Sequence, residues 1–186
     1  RSYRAVVHLA TTAVPARFVQ LATPEMPELQ VNENASVALG SSELPYQPLQ
    51  SWDGNYRDVY AVDLQPEMLQ LLRERSSAKQ LANVRTIECT VDDPRLPPAS
   101  CDLVLMVDVY HEFSEPQKML RGIRESLKPG GRLVLLEYRG EDPTVPIRPE
   151  HKMTVKQVRT ELEPEGFTFV ESLETLPRQH ILIFRK

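Results

Sequence analysis

From residue 58 onward, short apolar runs alternate with stretches whose apolar residues recur every three or four positions, the pattern of a sheet with crossover helices. Asp58–Asp63 reads as a buried strand ending on a carboxylate. A helix opening at Pro66 follows, with Met68, Leu69, Leu71 and Leu72 on one face. Val84–Thr90 is the next strand, then the proline-rich loop 92–100. Asp102–Val109 is almost continuously apolar, as a central parallel strand covered on both faces would be. Pro116 opens a second helix carrying Met119, Leu120, Ile123 and Leu127, which stops at Lys128-Pro129-Gly130-Gly131. Arg132–Tyr138 reads as a strand, and Thr154 with Gln157 makes a capping box for a third helix bearing Val155, Val158 and Leu162. Thr168–Leu173 and His180–Phe184 are strands close enough in sequence to pair antiparallel. The fold class is therefore α/β: a doubly wound, mostly parallel sheet ending in an antiparallel pair.

Residues 1–57 differ in texture. They hold five prolines, and the plausible strands there are Arg4–Ala10 and Ala35–Gly40. Two parts are expected: an irregular N-terminal segment, 1–57, able to contribute the first strand, and an α/β domain over 58–186. Ala5–Leu9 or Ala35–Leu39 has to fill the central slot, since leaving it open would expose two strand edges.

Composition narrows the chemistry. The 186 residues suit one domain with a sizeable core. A formal net charge of −4 without a dense Lys/Arg stripe argues against a nucleic-acid partner. No apolar run approaches the ~20 residues of a membrane span. Cys89 and Cys101 lack metal or disulfide spacing and read as small core residues, so no metal site is expected. The chain opens on Arg1 rather than Met, as a fragment or a processed chain would. The stretch after it is broken by His8, Thr11 and Thr12 and matches a secretory leader poorly, so cytoplasm is the default location. Glycine is scarce: seven residues, against roughly 13 at average usage. None forms G-x-G, which excludes an intact glycine-rich dinucleotide loop.

Ligands of open α/β sheets bind outside the carboxyl ends of the strands, so polar residues there are the candidates. Asp63 could accept from both hydroxyls of a ribose or cap the following helix. Asp92 and Asp93 could meet an adenine edge or simply form the turn before Pro94. Asp108, at the end of the most buried strand, needs either a partner or a ligand. His111 could serve as a base or make structural hydrogen bonds.

Three runs carry a resemblance. Val59-Tyr-Ala-Val-Asp-Leu-Gln-Pro-Glu-Met-Leu69 resembles the second strand and turn of class I S-adenosylmethionine-dependent methyltransferases. Leu96-Pro-Pro-Ala-Ser-Cys-Asp-Leu-Val-Leu-Met-Val-Asp-Val-Tyr-His111 resembles their fourth-strand segment. Leu120-Arg-Gly-Ile-Arg-Glu-Ser-Leu-Lys-Pro-Gly-Gly-Arg-Leu-Val-Leu-Leu-Glu137 is similar to the helix, turn and fifth strand that follow. The resemblance covers residues 58–186, and the terminal antiparallel pair belongs to it. It implies a Rossmann-like fold, S-adenosylmethionine as cofactor and a small-molecule methyl acceptor as partner. In this reading Asp63 holds the ribose hydroxyls, with Leu64 and Met68 against the adenine. Asp92 lies near the adenine amino group with Val91 beside it, and Val107 and Asp108 line the methionine end. Tyr110 and His111 face the acceptor. No catalytic base is assigned, because the sulfonium methyl supplies the reactivity and alignment is the protein's main task.

One segment departs from the family. Where a strand end and glycine-rich loop are expected, some 25 residues before Asp63, the chain reads Val37-Ala-Leu-Gly-Ser-Ser-Glu-Leu-Pro45 with a single glycine. Either the N-terminal third is unrelated sequence joined to a methyltransferase remainder, with cofactor binding impaired, or the loop has diverged into one that still binds. A non-catalytic binding or interaction module on the same sheet is therefore the alternative, and a nicotinamide-dependent oxidoreductase ranks last.

Overall fold

The computed structural model describes residues 4–8, 58–78 and 80–186. Its strands are β1 (Arg4–His8), β2 (Asp58–Asp63), β3 (Val84–Glu88), β4 (Cys101–Val107), β5 (Leu127–Arg139), β6 (Lys152–Met153), β7 (Thr168–Leu173) and β8 (Gln179–Arg185). Among the described residues three α-helices accompany them: α1 (Pro66–Ala78), α2 (Pro116–Ser126) and α3 (Val155–Leu162). The sheet runs β3-β2-β1-β4-β5-β8-β7, with β6 paired to the far end of β5. All pairs are parallel except β5–β8 and β7–β8. This is the α/β architecture with a C-terminal antiparallel pair that the apolar pattern predicts.

The central slot belongs to β1. It pairs with β2 from Arg4↔Asp58 to His8↔Val62, and with β4 from Ala5↔Leu103 to His8↔Met106. The other candidate, Ala35–Leu39, lies outside the described residues, as does the glycine-poor stretch Val37–Pro45. Strand order turns around between β1 and β4, which places the crevice of such a sheet at their carboxyl ends.

Of the strand limits that differ from the expected ones, two have a backbone cause. β4 stops at Val107 rather than Val109 because Asp108 adopts φ 49°, a left-handed conformation that swings the chain out of the sheet. β5 begins at Leu127 rather than Arg132. Leu127 pairs with Cys101, and an irregular register absorbs the Lys128–Gly131 segment, in which Gly130 has φ 76°. Leu127 is thus fully buried as the first residue of a strand, not as the last turn of α2. The expected helix starts at Pro66 and Pro116 are present, and so is the reciprocal Thr154–Gln157 capping box.

Strand alternation divides the core. Val104, Met106, Leu133 and Leu135 face Met119, Leu120 and Ile123 of α2 and Val158 and Leu162 of α3. Leu103, Leu105, Val107, Val134 and Leu136 form the opposite face with Ile181 and Ile183. Glu137 follows the parity of Leu133 and Leu135, which turns its carboxylate to the helix-covered face.

The loop after β3 reaches that helix layer through Pro94, which is buried against Gly122 of α2. A Cβ on Gly122 would lie 2.5 Å from Pro94 Cδ. Alanine would add about 1 kcal/mol of helix propensity, whereas overpacking costs about 1–3 kcal/mol. Gly122→Ala is therefore expected to lower Tm by roughly 2–6 °C in a thermal melt. An unchanged or raised Tm would show that Pro94 yields at no cost.

Candidate functional site

Two carboxylates stand at the carboxyl ends of β2 and β4, each half satisfied. Asp63 is buried; its Oδ1 accepts from the Gln65 backbone N–H at 2.8 Å, while Oδ2 has no hydrogen-bond partner among the described residues. Asp108 is buried too; its Oδ2 accepts from Gln179 Nε2 at 2.7 Å, and Oδ1 has no partner among the described residues. Desolvation pushes the Asp63 carboxyl above its ordinary range, against the lowering effect of the Gln65 and Leu64 N–H groups. It pushes Asp108 up to about 6, with Glu137 adding to the rise and Gln179 and His111 opposing it. A buried acceptor left without a donor costs about 1–3 kcal/mol. Asp63 thus does cap the turn after its strand, but with only one oxygen.

Exposed apolar side chains lie beside these ends: Leu64 just past β2 is 49% exposed, and Val91 past β3 is 48% exposed. Met68 is half-buried in the first turn of α1. Asp92 Oδ1 accepts from Thr90 Oγ1 at 2.8 Å, and its Oδ2 lies 3.8 Å from Lys118 Nζ. Asp93 Oδ1 accepts from the Arg95 N–H at 2.7 Å, as its turn reading predicts. Val107 packs in the core.

Beyond Asp108 the chain makes one tight turn, Tyr110–Glu112, built on Glu137. This carboxylate has 0% exposure. Its Oε1 accepts from the Tyr110 backbone N–H at 2.9 Å, and its Oε2 lies 2.6 Å from His111 Nδ1. In the neutral imidazole, a carboxylate at that distance holds the proton on Nδ1 and leaves the electron pair on Nε2. Burial lowers the His111 pKa, but the Glu137 contact outweighs it and the net shift is upward. His111 Nε2 lies 3.1 Å from His151 Nδ1 and 3.3 Å from Glu112 Oε1. The Tyr110 ring does not share this location: it is buried, and its hydroxyl donates to Glu161 of α3 at 2.6 Å.

A family model described as a methyltransferase domain matches residues 39–135, slightly more than half of the chain. The chain belongs to the class I S-adenosylmethionine-dependent methyltransferase family. Its match begins after β1, so the central strand of this member lies upstream of the matched segment. Demethylmenaquinone methyltransferase of Tropheryma whipplei (strain Twist) is 32% identical over 123 residues, 62% of this chain and 49% of that protein. A crystal structure of a SAM dependent methyltransferase from Aquifex aeolicus superposes with a TM-score of 0.65 at 26% identity, covering 69% of each chain. The [4+2]-cyclase SpnF superposes over all of this chain and 74% of its own, with a TM-score of 0.66 at 13% identity; this is a likeness of fold alone. The chain spans about half to three-fifths of the length of the first curated relatives it matches and about a third or less of others. The family uses S-adenosylmethionine and has a methyl acceptor, and no helix among the described residues is long and apolar enough to cross a membrane.

Of the residues singled out in the sequence, the structure brings Asp63, Leu64, Met68, Val91, Asp92, Val107, Asp108 and His111 to the carboxyl edge of the methyltransferase sheet. Glu137, Gln179 and His151 escaped the sequence reading. The first had a signal: a charge at an inward position of an apolar strand.

The Asp108 pKa gives stability a pH dependence with a definite sign. Asp108 ionises near 3.8 when unfolded and near 6 when folded, so between these values the folded protein binds more protons. Wild-type stability relative to Asp108→Asn is expected to fall as pH rises from about 4 to about 6, by roughly 3 kcal/mol, and to level off above. Chemical denaturation of both proteins across this range measures it; a pH-independent difference would mean that Asp108 is not perturbed.

Proposed function

We propose that the chain transfers the methyl group of S-adenosylmethionine to a small-molecule acceptor. The observation that carries this reading is the pair of buried carboxylate oxygens without partners among the described residues, Asp63 Oδ2 and Asp108 Oδ1, at the ends of the two strands that flank β1. The residues fit the cofactor group by group. Asp63 Oδ2 is an acceptor for ribose hydroxyls, and the exposed faces of Leu64 and Val91, with Met68, suit an adenine ring. Asp92, already tied to Thr90, lies on the same loop as Val91 and would meet the adenine amino group. Val107 and Asp108 would flank the methionine end, whose ammonium offsets the buried charge of Asp108.

When bound, the cofactor supplies an electrophilic methyl on a sulfonium. The chain's own residues align and orient. Asp108, held by Gln179, fixes one end; Glu137 holds His111 with its Nε2 electron pair turned away from the core, toward the acceptor side. Tyr110 contributes through its backbone and its core packing, so His111 is the acceptor-facing member of that pair.

The division into an N-terminal segment 1–57 and a catalytic domain 58–186 belongs to the same reading, with β1 as the segment's contribution to the sheet. A second reading, a cofactor-free interaction module, is favoured by the lack of any G-x-G in the sequence. Calorimetric titration with S-adenosylhomocysteine separates the two. Saturable binding is expected, and Asp63→Ala should weaken it by about 1–3 kcal/mol, roughly 5- to 150-fold. No heat up to millimolar ligand, in a chain shown to be folded, would sink the methyltransferase reading, and an unchanged affinity in Asp63→Ala would remove Asp63 from the site.

A further inference from the structure

Three ligand atoms from two separate turns converge beside the end of β4. His111 Nε2 and Glu112 Oε1 come from the turn at Tyr110–Glu112, and His151 Nδ1 from the turn at Pro149–His151 that leads into β6. They form a nearly equilateral triangle: 3.1 Å between the imidazole nitrogens, 3.1 Å from His151 Nδ1 to Glu112 Oε1, and 3.3 Å from His111 Nε2 to the same oxygen. In neutral His111, with its proton held on Nδ1 by Glu137, Nε2 is an electron-pair donor, and so is the carboxylate oxygen. His151 Nδ1 carries at most one proton, which can bridge only one edge of the triangle at a time. At least two electron pairs then face one another at about hydrogen-bond distance with nothing shared between them.

A divalent cation at the centre answers this arrangement. Zinc binds nitrogen and oxygen at about 2.0–2.1 Å with tetrahedral geometry, which sets ligand–ligand edges of about 3.3–3.4 Å. The observed edges fall within a few tenths of an ångström of that. We propose that His111, Glu112 and His151 form a binding site for a divalent transition-metal ion of the zinc type. Glu137 is its outer-shell carboxylate: fully buried, it accepts the Nδ1 proton of His111 and so aims Nε2 at the ion. Two of the ligands, Glu112 at 55% and His151 at 39% side-chain exposure, leave an entry path from solvent. The net ligand charge of −1 suits a dication that keeps a water.

Three protein ligands leave the fourth tetrahedral position open, the pattern of catalytic rather than structural zinc. That position takes a hydroxyl or thiol of a small molecule in place of water, and the cation lowers the pKa of the bound group so that its proton leaves to solvent. Metal binding itself needs no methyl donor and stands apart from the functional reading. The assignment of the open position to the methyl acceptor rests on that reading.

The test uses the full, tag-free chain stripped of metal with a chelator and titrated with cobalt(II) as a spectroscopic stand-in for zinc. One equivalent of cobalt is expected to give the intense visible bands of a four-coordinate site, and zinc should displace them stoichiometrically. His151→Ala and Glu112→Gln, both at half-exposed positions and checked for folding by circular dichroism, should lose these bands. His111→Ala should lose them as well, but it strips Glu137 of a partner, so the first two variants decide the matter. Absence of the bands in the wild type, or their persistence in both surface variants, would overturn the site and leave the His111 electron pair to act as a proton acceptor. Parallel titration with S-adenosylhomocysteine keeps the readings apart. Cobalt bands without nucleoside binding would sustain the metal site and sink the methyltransferase reading, and the reverse would sink the metal site alone.

Discussion

A glutamate with no exposed surface must be met by donors inside the protein, and the carboxyl edge of this sheet is organised around that demand. Glu137 sits on β5 with the parity of Leu133 and Leu135, facing the helix-covered core. Its two oxygens take the Tyr110 N–H and the His111 ring from a single turn. Stripping one partner from such a charge typically costs about 3–5 kcal/mol, so the turn cannot drift without exposing that cost. The turn in turn exists because Asp108 takes a left-handed conformation, which an aspartate tolerates better than most residues. One buried charge therefore fixes the path of the chain beyond β4, the His111 tautomer and the direction of its free electron pair.

The contrast with the other two carboxylates is informative. Among the described residues Glu137 has a donor for each oxygen, whereas Asp63 and Asp108 have one donor for two. Each orphaned oxygen withholds about 1–3 kcal/mol from a domain whose total stability is of the order of 5–15 kcal/mol. Core packing offers no reason to keep either as an acid, since an asparagine would bring its own donor. They end the two strands that flank β1, beside the point where strand order turns around and sheets of this kind bind ligands. Unmet acceptors at that location are the chemical counterpart of a ligand rich in hydroxyl and ammonium donors.

Much of this was readable from periodicity. The apolar runs that form β2 and β4, the prolines at helix starts and the Thr154–Gln157 box are local signals that tertiary packing did not override. Both half-satisfied carboxylates could be singled out because a charge closing an apolar run is conspicuous. What the sequence withheld was pairing at a distance. Glu137 meets His111 across 26 positions, Gln179 meets Asp108 across 71, and His151 reaches His111 across 40. Strand register and the turn geometry create those contacts, and neither is written in a local pattern. The central strand was ambiguous for the same reason. Arg4–His8 and Ala35–Gly40 are equally apolar, and only pairing with β2 and β4 assigns Arg4–His8 to the slot.

The antiparallel hairpin at the C-terminus is usually regarded as an edge that closes the sheet, but here its register reaches the site. β8 pairs with β5 so that Glu137 opposes His180 and Tyr138 opposes Gln179. That alignment delivers the Gln179 amide to Asp108 and leaves Oδ1 as the oxygen without a donor. The register is pinned from both sides. His180 lies between Glu174 at 2.6 Å and Glu141 at 2.8 Å, while Arg139 binds Glu174 and the Pro177 carbonyl across the turn. A slip of one residue would turn Gln179 to the opposite face and leave Asp108 with no donor at all. The ion pairs around His180 thus act on the site through the register alone. The hairpin that terminates the sheet also decides which face of a buried carboxylate remains open to a ligand.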